Sequence, residues 1–230
     1  MVRTRLLLPI AALLVLAAAP VAAQHISSPY RYIEPRQYVM LFGGPLSTQT
    51  GAVQLGPASG KIFGAQWGYR LSGPFQIEVT LGYAPLQRTV RDTIQSRPDT
   101  TTYVARGTAN QGLLVAMAGL RFDVTGPRTW HGLQPYLLFG VGAVTGTSGQ
   151  NGGDAAVPQD VRFNFGTSFA AQVGGGLEWY VTRRLGLRLD GRATLWKVHT
   201  PAAFVLRDPT LPASEWTQNA SLVGGLALHF

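Results

Sequence analysis

The segment from Leu185 to Trp196 (LGLRLDGRATLW) alternates with a period of two that no helix accommodates. Leu185, Leu187, Leu189, Gly191, Ala193 and Leu195 fall on one side, and Gly186, Arg188, Asp190, Arg192, Thr194 and Trp196 on the other. Wound as a helix, these residues would bury Arg188 and Asp190 among leucines or expose the leucines to water. Laid out as a strand they separate, and the rest of the chain must supply an apolar setting on one side and a polar one on the other.

Other stretches repeat the pattern. Thr217 to Phe230 sets Ala220, Leu222, Gly224, Leu226, Leu228 and Phe230 against Ser221, Val223, Gly225, Ala227 and His229. At about 3.3 Å per residue, roughly ten such residues cross a hydrocarbon layer on a tilted path. Lys61–Leu71, Phe75–Tyr83, Gln111–Val124, Pro135–Thr145 and Gly166–Val181 alternate in the same way, whereas Gln37–Gly43 is apolar on both faces and its orientation is ambiguous. Together these make eight strands. The stretches between them run alternately longer (44–60, 84–110, 146–165, 198–216) and shorter (72–74, 125–134, 182–183). Ala84 to Asn110 shows no period of its own and reads as a polar loop. Short turns on one side, long loops on the other and an even strand count predict an all-β fold, an eight-stranded antiparallel transmembrane β-barrel with both termini on the periplasmic side. The aromatic residues of the apolar face then fall into two belts, with Tyr69, Phe75, Phe122, Trp179 and Phe230 toward the periplasm and Phe63, Tyr83 and Phe169 toward the outside. A water-soluble sandwich would turn the apolar face inward and leave a surface rich in Gly and Ala and poor in Lys.

The first 23 residues combine Arg3 and Arg5, an apolar run from Leu6 to Val21 and the small residues Ala22 and Ala23, the three parts of a secretory signal cleaved near Ala23. The predicted organisation is a signal peptide over 1–23, a periplasmic N-terminal lead over 24–35 and the barrel over 36–230. No later run approaches the 20 or so apolar residues of a membrane helix. The formal charge of +8 comes mostly from scattered arginines, a distribution that argues against a nucleic-acid partner. There is no cysteine, so disulfides and thiolate metal sites are excluded, and the four histidines lack metal-ligand spacing, so neither metal nor other cofactor is expected.

At the carboxyl terminus, Gly225, Leu228 and Phe230 give the spacing Gly-x-x-apolar-x-aromatic, which resembles the β-signal read by the barrel-assembly machinery of Gram-negative bacteria; Gly224 stands where a polar residue is usual. With the leader and eight strands, the whole mature chain resembles the small outer-membrane β-barrel superfamily that includes the OmpA transmembrane domain, OmpX, OmpW and the opacity-type adhesins. That resemblance implies a bacterial outer-membrane location, contact with outer-membrane lipid and lipopolysaccharide, and assembly by that machinery.

An eight-stranded barrel has an interior that side chains fill. The inward face carries Arg70, Glu78, Arg121, Asp123, Glu178, Arg188, Asp190 and Arg192, and Glu78, Arg121, Glu178 and Arg188 lie at a similar depth from the periplasmic strand ends. Isolated charges there would be costly, so an interior ion-pair layer is predicted, a structural plug in preference to a gate. Arg88, Arg91, Arg97, Arg106 and Arg162 lie in or beside the long loops and read as solvated charges, with anionic sugars and phosphates of lipopolysaccharide or a host surface as the alternative partners. Three functions follow: a non-enzymatic structural or surface-interaction barrel acting through its loops; a small-solute channel with a hydrophobic lumen, supported by Leu113, Val115, Met117 and Leu138; and a lipid A-modifying enzyme using His199, for which the His-x-Ser arrangement is missing.

Overall fold

The computed structural model describes residues 28–97, 100–148 and 152–230. The expected signal peptide lies outside the described residues. The strands are β1 (Tyr30–Tyr32), β2 (Gln37–Ser47), β3 (Gly60–Ser72), β4 (Phe75–Arg97), β5 (Thr100–Asp123), β6 (Arg128–Trp130), β7 (Leu133–Gly146), β8 (Thr167–Tyr180), β9 (Leu185–His199) and β10 (Ser214–His229). Eight of them close into an antiparallel ring in the order β2, β3, β4, β5, β7, β8, β9, β10 and back to β2. The closure runs to the last residue: the Gln37 amide donates to the Phe230 carbonyl at 3.1 Å and the Phe230 amide donates to the Gln37 carbonyl at 2.9 Å. Every ladder edge is therefore paired, the condition that backbone in a hydrocarbon layer must meet.

The two faces of the ring are the reverse of a water-soluble protein. Leu189 is 55 % exposed while Arg188 beside it is 3 % exposed. Leu41, Leu81, Phe139, Val141 and Leu226 are likewise exposed on the outer face, and Gln66, Glu78, Arg121 and Glu178 are buried on the inner one. The orientation of β2, ambiguous from its composition, follows from its register: Met40 pairs with Gln66 of β3 and Ala227 of β10, both inward, so Tyr38, Met40 and Phe42 fill the lumen. Aromatic rings meet across strands near both ends of the exterior, Phe75 with Phe122 at 5.5 Å and Phe63 with Tyr83 at 5.7 Å.

Two segments differ from expectation. Ala84 to Asn110 is not a loop: β4 and β5 continue through it as one ribbon, paired as far as Arg97 and Thr100. Its period is faint in hydropathy because the outward face no longer needs to be apolar and Arg88 interrupts the buried row of Ala84, Leu86 and Val90; Thr, Val and Tyr still favour the extended backbone. At 23 and 24 residues, β4 and β5 are about twice the length that crosses a bilayer. The N-terminal lead also carries structure, since β1 pairs with β6 inside the connection from β5 to β7, and the Ile33 amide donates to the Pro127 carbonyl at 3.0 Å. β2 stands opposite β7 in the ring, so residues 33–36 pass across the mouth at the short turns.

At the other end the long connections pack together. Val53 and Leu55 from the first, Val90 and Ala109 from the β4–β5 ribbon, Val157, Val161 and Phe163 from the third, and Phe204 of helix α1 (Ala202–Arg207) in the fourth share one buried cluster with the upper lumen. This cluster caps the outer mouth.

Candidate functional site

The half of the lumen nearer the short turns holds a single connected set of charges. Arg121 of β5 is completely buried; its Nε donates to Asp123 Oδ1 at 2.7 Å and its Nη2 to Glu178 Oε2 at 2.8 Å and to Gln134 Oε1 at 3.1 Å. Its guanidinium lies 3.9 Å from the centre of the Tyr136 ring. Asp123 continues the chain to Arg70 at 3.6 Å and accepts from Gln76. Glu178 continues it to His229, whose Nε2 is 2.7 Å from Oε1. On the other side, Arg121 Nη1 is 3.7 Å from Glu78 Oε1, which Arg188 Nη1 reaches at 3.2 Å. Arg188 Nη2 donates to Asp190 Oδ2 at 3.3 Å; Arg192 donates to the same oxygen and also to Gln66 Oε1 at 2.8 Å.

The eight charged residues singled out by strand parity thus share one network, four guanidiniums against four carboxylates. Each carboxylate accepts from at least one arginine. Neutral partners complete the cage: Tyr38 donates to Glu78 and accepts from Arg188 at 2.6 Å, and the Tyr136 hydroxyl accepts from Arg188 at 3.0 Å. In a low-dielectric interior, mutual pairing of this kind offsets the desolvation cost of each ion. Tyr38, Gln66, Gln134, Tyr136 and His229 were missing from the set of charges read from the sequence; the signal for them was the same parity, since each occupies an inward position.

Two glycines make room for this cage. A Cβ on Gly68 would lie 2.1 Å from Tyr38 Cε1, and one on Gly176 would lie 2.3 Å from the Tyr136 hydroxyl. Within the run Gly174–Gly176, the close approach of an aromatic side chain requires glycine at Gly176.

Apolar side chains share the rest of the lumen with uncharged polar ones such as Thr80, Gln111, Thr194 and Asn219. Leu113, Val115, Met117 and Leu138 are buried within it beside Met40, Phe42, Trp196 and Val223. The void enclosed by Phe42, Ile62, Thr80, Arg192, Thr194 and Trp196 measures about 20 Å³, room for roughly one water molecule.

In the outer cap, Arg88 is not the solvated charge expected of a loop arginine. It is 3 % exposed, its Nη2 meets Asp154 Oδ1 at 2.5 Å, and its guanidinium lies over the Phe163 ring at 5.5 Å. Arg91 donates to Gln54 and so ties the ribbon to the first connection, whereas Arg106 pairs with Asp92 at 3.3 Å within the ribbon and Arg162 Nε donates to the Val157 carbonyl at 3.1 Å within the third connection. The Arg97 side chain lies outside the described residues. Tyr103 stacks on Phe204 at 6.0 Å and donates to Asp208 Oδ2 at 2.8 Å; burial, helped by that carboxylate, pushes its phenol up to about 12.

Among the described residues no group of His, Asp and Glu side chains is placed to hold a metal ion. His131 sits in the β6–β7 turn, and His25 lies outside the described residues. His199 is paired in register with Ser214 on the outer rim, with no hydrogen bond between them. At the carboxyl terminus Leu228 and Phe230 face outward, while Gly225 faces inward against the Leu41 carbonyl and Met40.

No family model matches the chain, and no curated protein matches it in sequence. Among solved structures, that of Neisserial surface protein A is similar over 84% of this chain and 97% of its own, with a TM-score of 0.51 and 15% identity. The outer membrane protein OprG from Pseudomonas aeruginosa is similar over 85% of this chain and 97% of its own, with a TM-score of 0.50 and 15% identity.

Proposed function

We propose that this chain, whose fold is that of the small eight-stranded outer-membrane β-barrels, is a non-conducting and non-enzymatic barrel of the bacterial outer membrane that holds a packed protein cap on the outside. The observation that carries this reading is the filled lumen. A layer of paired charges occupies the half nearer the short turns, apolar and uncharged polar side chains fill the other half, and the cavity beside Arg192 measures only about 20 Å³. The same packing argues against the hydrophobic channel, because Leu113, Val115, Met117 and Leu138 are spent on contacts with neighbouring side chains instead of lining an open path.

In this reading residues 1–23 direct export and are removed near Ala23, residues 24–35 lie in the periplasm, and residues 36–230 form the barrel. Gly225, Leu228 and Phe230 serve as the signal for the assembly machinery. The apolar exterior meets outer-membrane lipid, and the cap is the surface offered to lipopolysaccharide sugars or to another cell. Planar-bilayer recording of the purified protein tests the central claim: the expected trace shows no discrete conductance steps, and a stable ohmic conductance would overturn it. Mass spectrometry of lipid A from cells with and without the protein is expected to show identical species; a new acylation state would overturn the non-enzymatic reading.

A further inference from the structure

The arginines of the lumen are matched by carboxylates, but those of the periplasmic rim are not. Arg31, Arg36, Arg128, Arg183 and Arg184 are all exposed, and among the described residues no ion pair joins any of them to an acidic side chain. Counter-charge on this rim is limited to Glu34 and the terminal carboxylate of Phe230. Five like charges crowded at one end of a barrel repel one another unless an anion lies between them.

The ribbon of β1 and β6 says which kind of anion. Trp130 is paired with Leu133, which shares the parity of the membrane-facing Leu137, Phe139 and Val141 of β7. Tyr30 is paired with Trp130 and Tyr32 with Arg128. One face of the ribbon therefore continues the outside of the barrel and carries Tyr30, Tyr32, Trp130 and Arg128, while Arg31 and Thr129 take the opposite face. Trp179 of β8 is paired with Leu133 and with Leu187 of β9, and it extends the aromatic row. Tyr30, Tyr32, Trp130 and Trp179 are all exposed. Aromatic side chains in such a row favour the boundary between acyl chains and headgroups.

Between this ribbon and the β8–β9 turn lies a cleft of about 790 Å³, whose lining includes Arg31, Tyr32, Glu34, Tyr180, Val181 and Arg183. Two guanidiniums outnumber the single carboxylate there, and exposed Val181 shares the outward parity of Trp179. The ligand such a place suits has an anionic head joined directly to an apolar tail.

We propose that this cleft binds an anionic phospholipid of the inner leaflet, its phosphate between Arg31 and Arg183 and its acyl chains along Trp130, Trp179 and Leu187. The inference rests on the reading of the chain as a membrane barrel with its termini on the periplasmic side. Guanidiniums suit the site because their planar forks bind phosphate oxygens in pairs.

The test is native mass spectrometry of the full-length purified protein released from micelles containing equal amounts of phosphatidylglycerol and phosphatidylcholine. The wild-type protein is expected to retain phosphatidylglycerol in preference, and the double variant Arg31→Gln/Arg183→Gln to lose that preference by roughly fivefold per arginine, the effect of one basic side chain at an anionic surface. Lys61→Gln, on the outer rim, is expected to leave it unchanged. Equal retention of both lipids by the wild type, or an unchanged preference in the double variant, overturns the proposal. Displacement of the lipid by soluble glycerophosphoglycerol at equal concentration overturns it in favour of a free phosphate ester. Heat-dependent gel migration of the same samples reports the barrel separately, so its loss marks failure of the underlying reading and not of the lipid site.

Discussion

Replacing Arg121 with methionine removes the hub of the luminal charge network while keeping most of its volume. Glu178 and Asp123, which receive its shortest bonds at 2.8 and 2.7 Å, would be left with an excess negative charge in a fully buried setting. Removing one member of a buried ion pair costs about 3–5 kcal/mol, because the partner keeps its desolvation penalty and loses its compensation. The double variant Arg121→Met/Glu178→Gln leaves three arginines (Arg70, Arg188, Arg192) facing three carboxylates (Glu78, Asp123, Asp190), so charge balance returns. It should therefore recover at least half of the lost stability although it removes one more charged group. The measurement is equilibrium unfolding by urea in lipid vesicles, followed by tryptophan fluorescence and by the fraction showing heat-dependent gel migration. A cost for Arg121→Met below about 1 kcal/mol, the range of a solvent-exposed pair, would refute the idea that the layer is a dry and mutually dependent unit. A double variant no more stable than the single one would refute it equally.

Gly68→Ala should destabilise the barrel by about 1–3 kcal/mol in the same assay, because its Cβ would strike a Tyr38 ring held by Glu78, Gln66 and Arg188. Gly191→Ala, whose Cβ has no atom closer than 4.0 Å, should stay within about 0.5 kcal/mol of wild type. Phe204→Ala should speed protease cleavage of the outer connections while heat-dependent migration of the barrel stays the same, since Phe204 is fully buried in the cap and not in the ring. Tyr103 has a folded value of about 12 against roughly 10 when unfolded, so its contribution to the cap is complete below about pH 10 and is lost as pH rises from there toward 12. The wild-type minus Tyr103→Phe difference in phenolate absorbance should have its midpoint near the upper value, and a midpoint near 10 would show that the contact with Asp208 does not form in solution.

The parts of the molecule inside the membrane were legible because lipid imposes a rule on every second residue. Leu189 beside Arg188 states the orientation of β9 without further information, and the same parity selected all eight charges of the network. Parity does not, however, say which charges touch: Arg121 meets Asp123 on its own strand and Glu178 on another, and that choice depends on the stagger of β5 against β8. Legibility ended where lipid ends. The ribbon beyond Ala84 buries Ala84, Leu86, Val90 and Ala109 on one face, but Arg88 interrupts that row and the other face carries no lipid-facing apolar residues, so the alternation left only a faint hydropathic trace; Arg88 looked solvated because its partner Asp154 lies in a separate connection. The β1–β6 pairing was hidden for a simpler reason: three-residue strands fall below the length at which alternation can be recognised.

The handshake between Gln37 and Phe230 joins the first residue of the ring to the last residue of the chain. Until β10 has been synthesised the cylinder has two raw borders, because that strand alone bridges β9 to β2. A chain that stops before β10 would give not a shortened barrel but an open sheet that lipid rejects. The seam makes the finished molecule all-or-nothing.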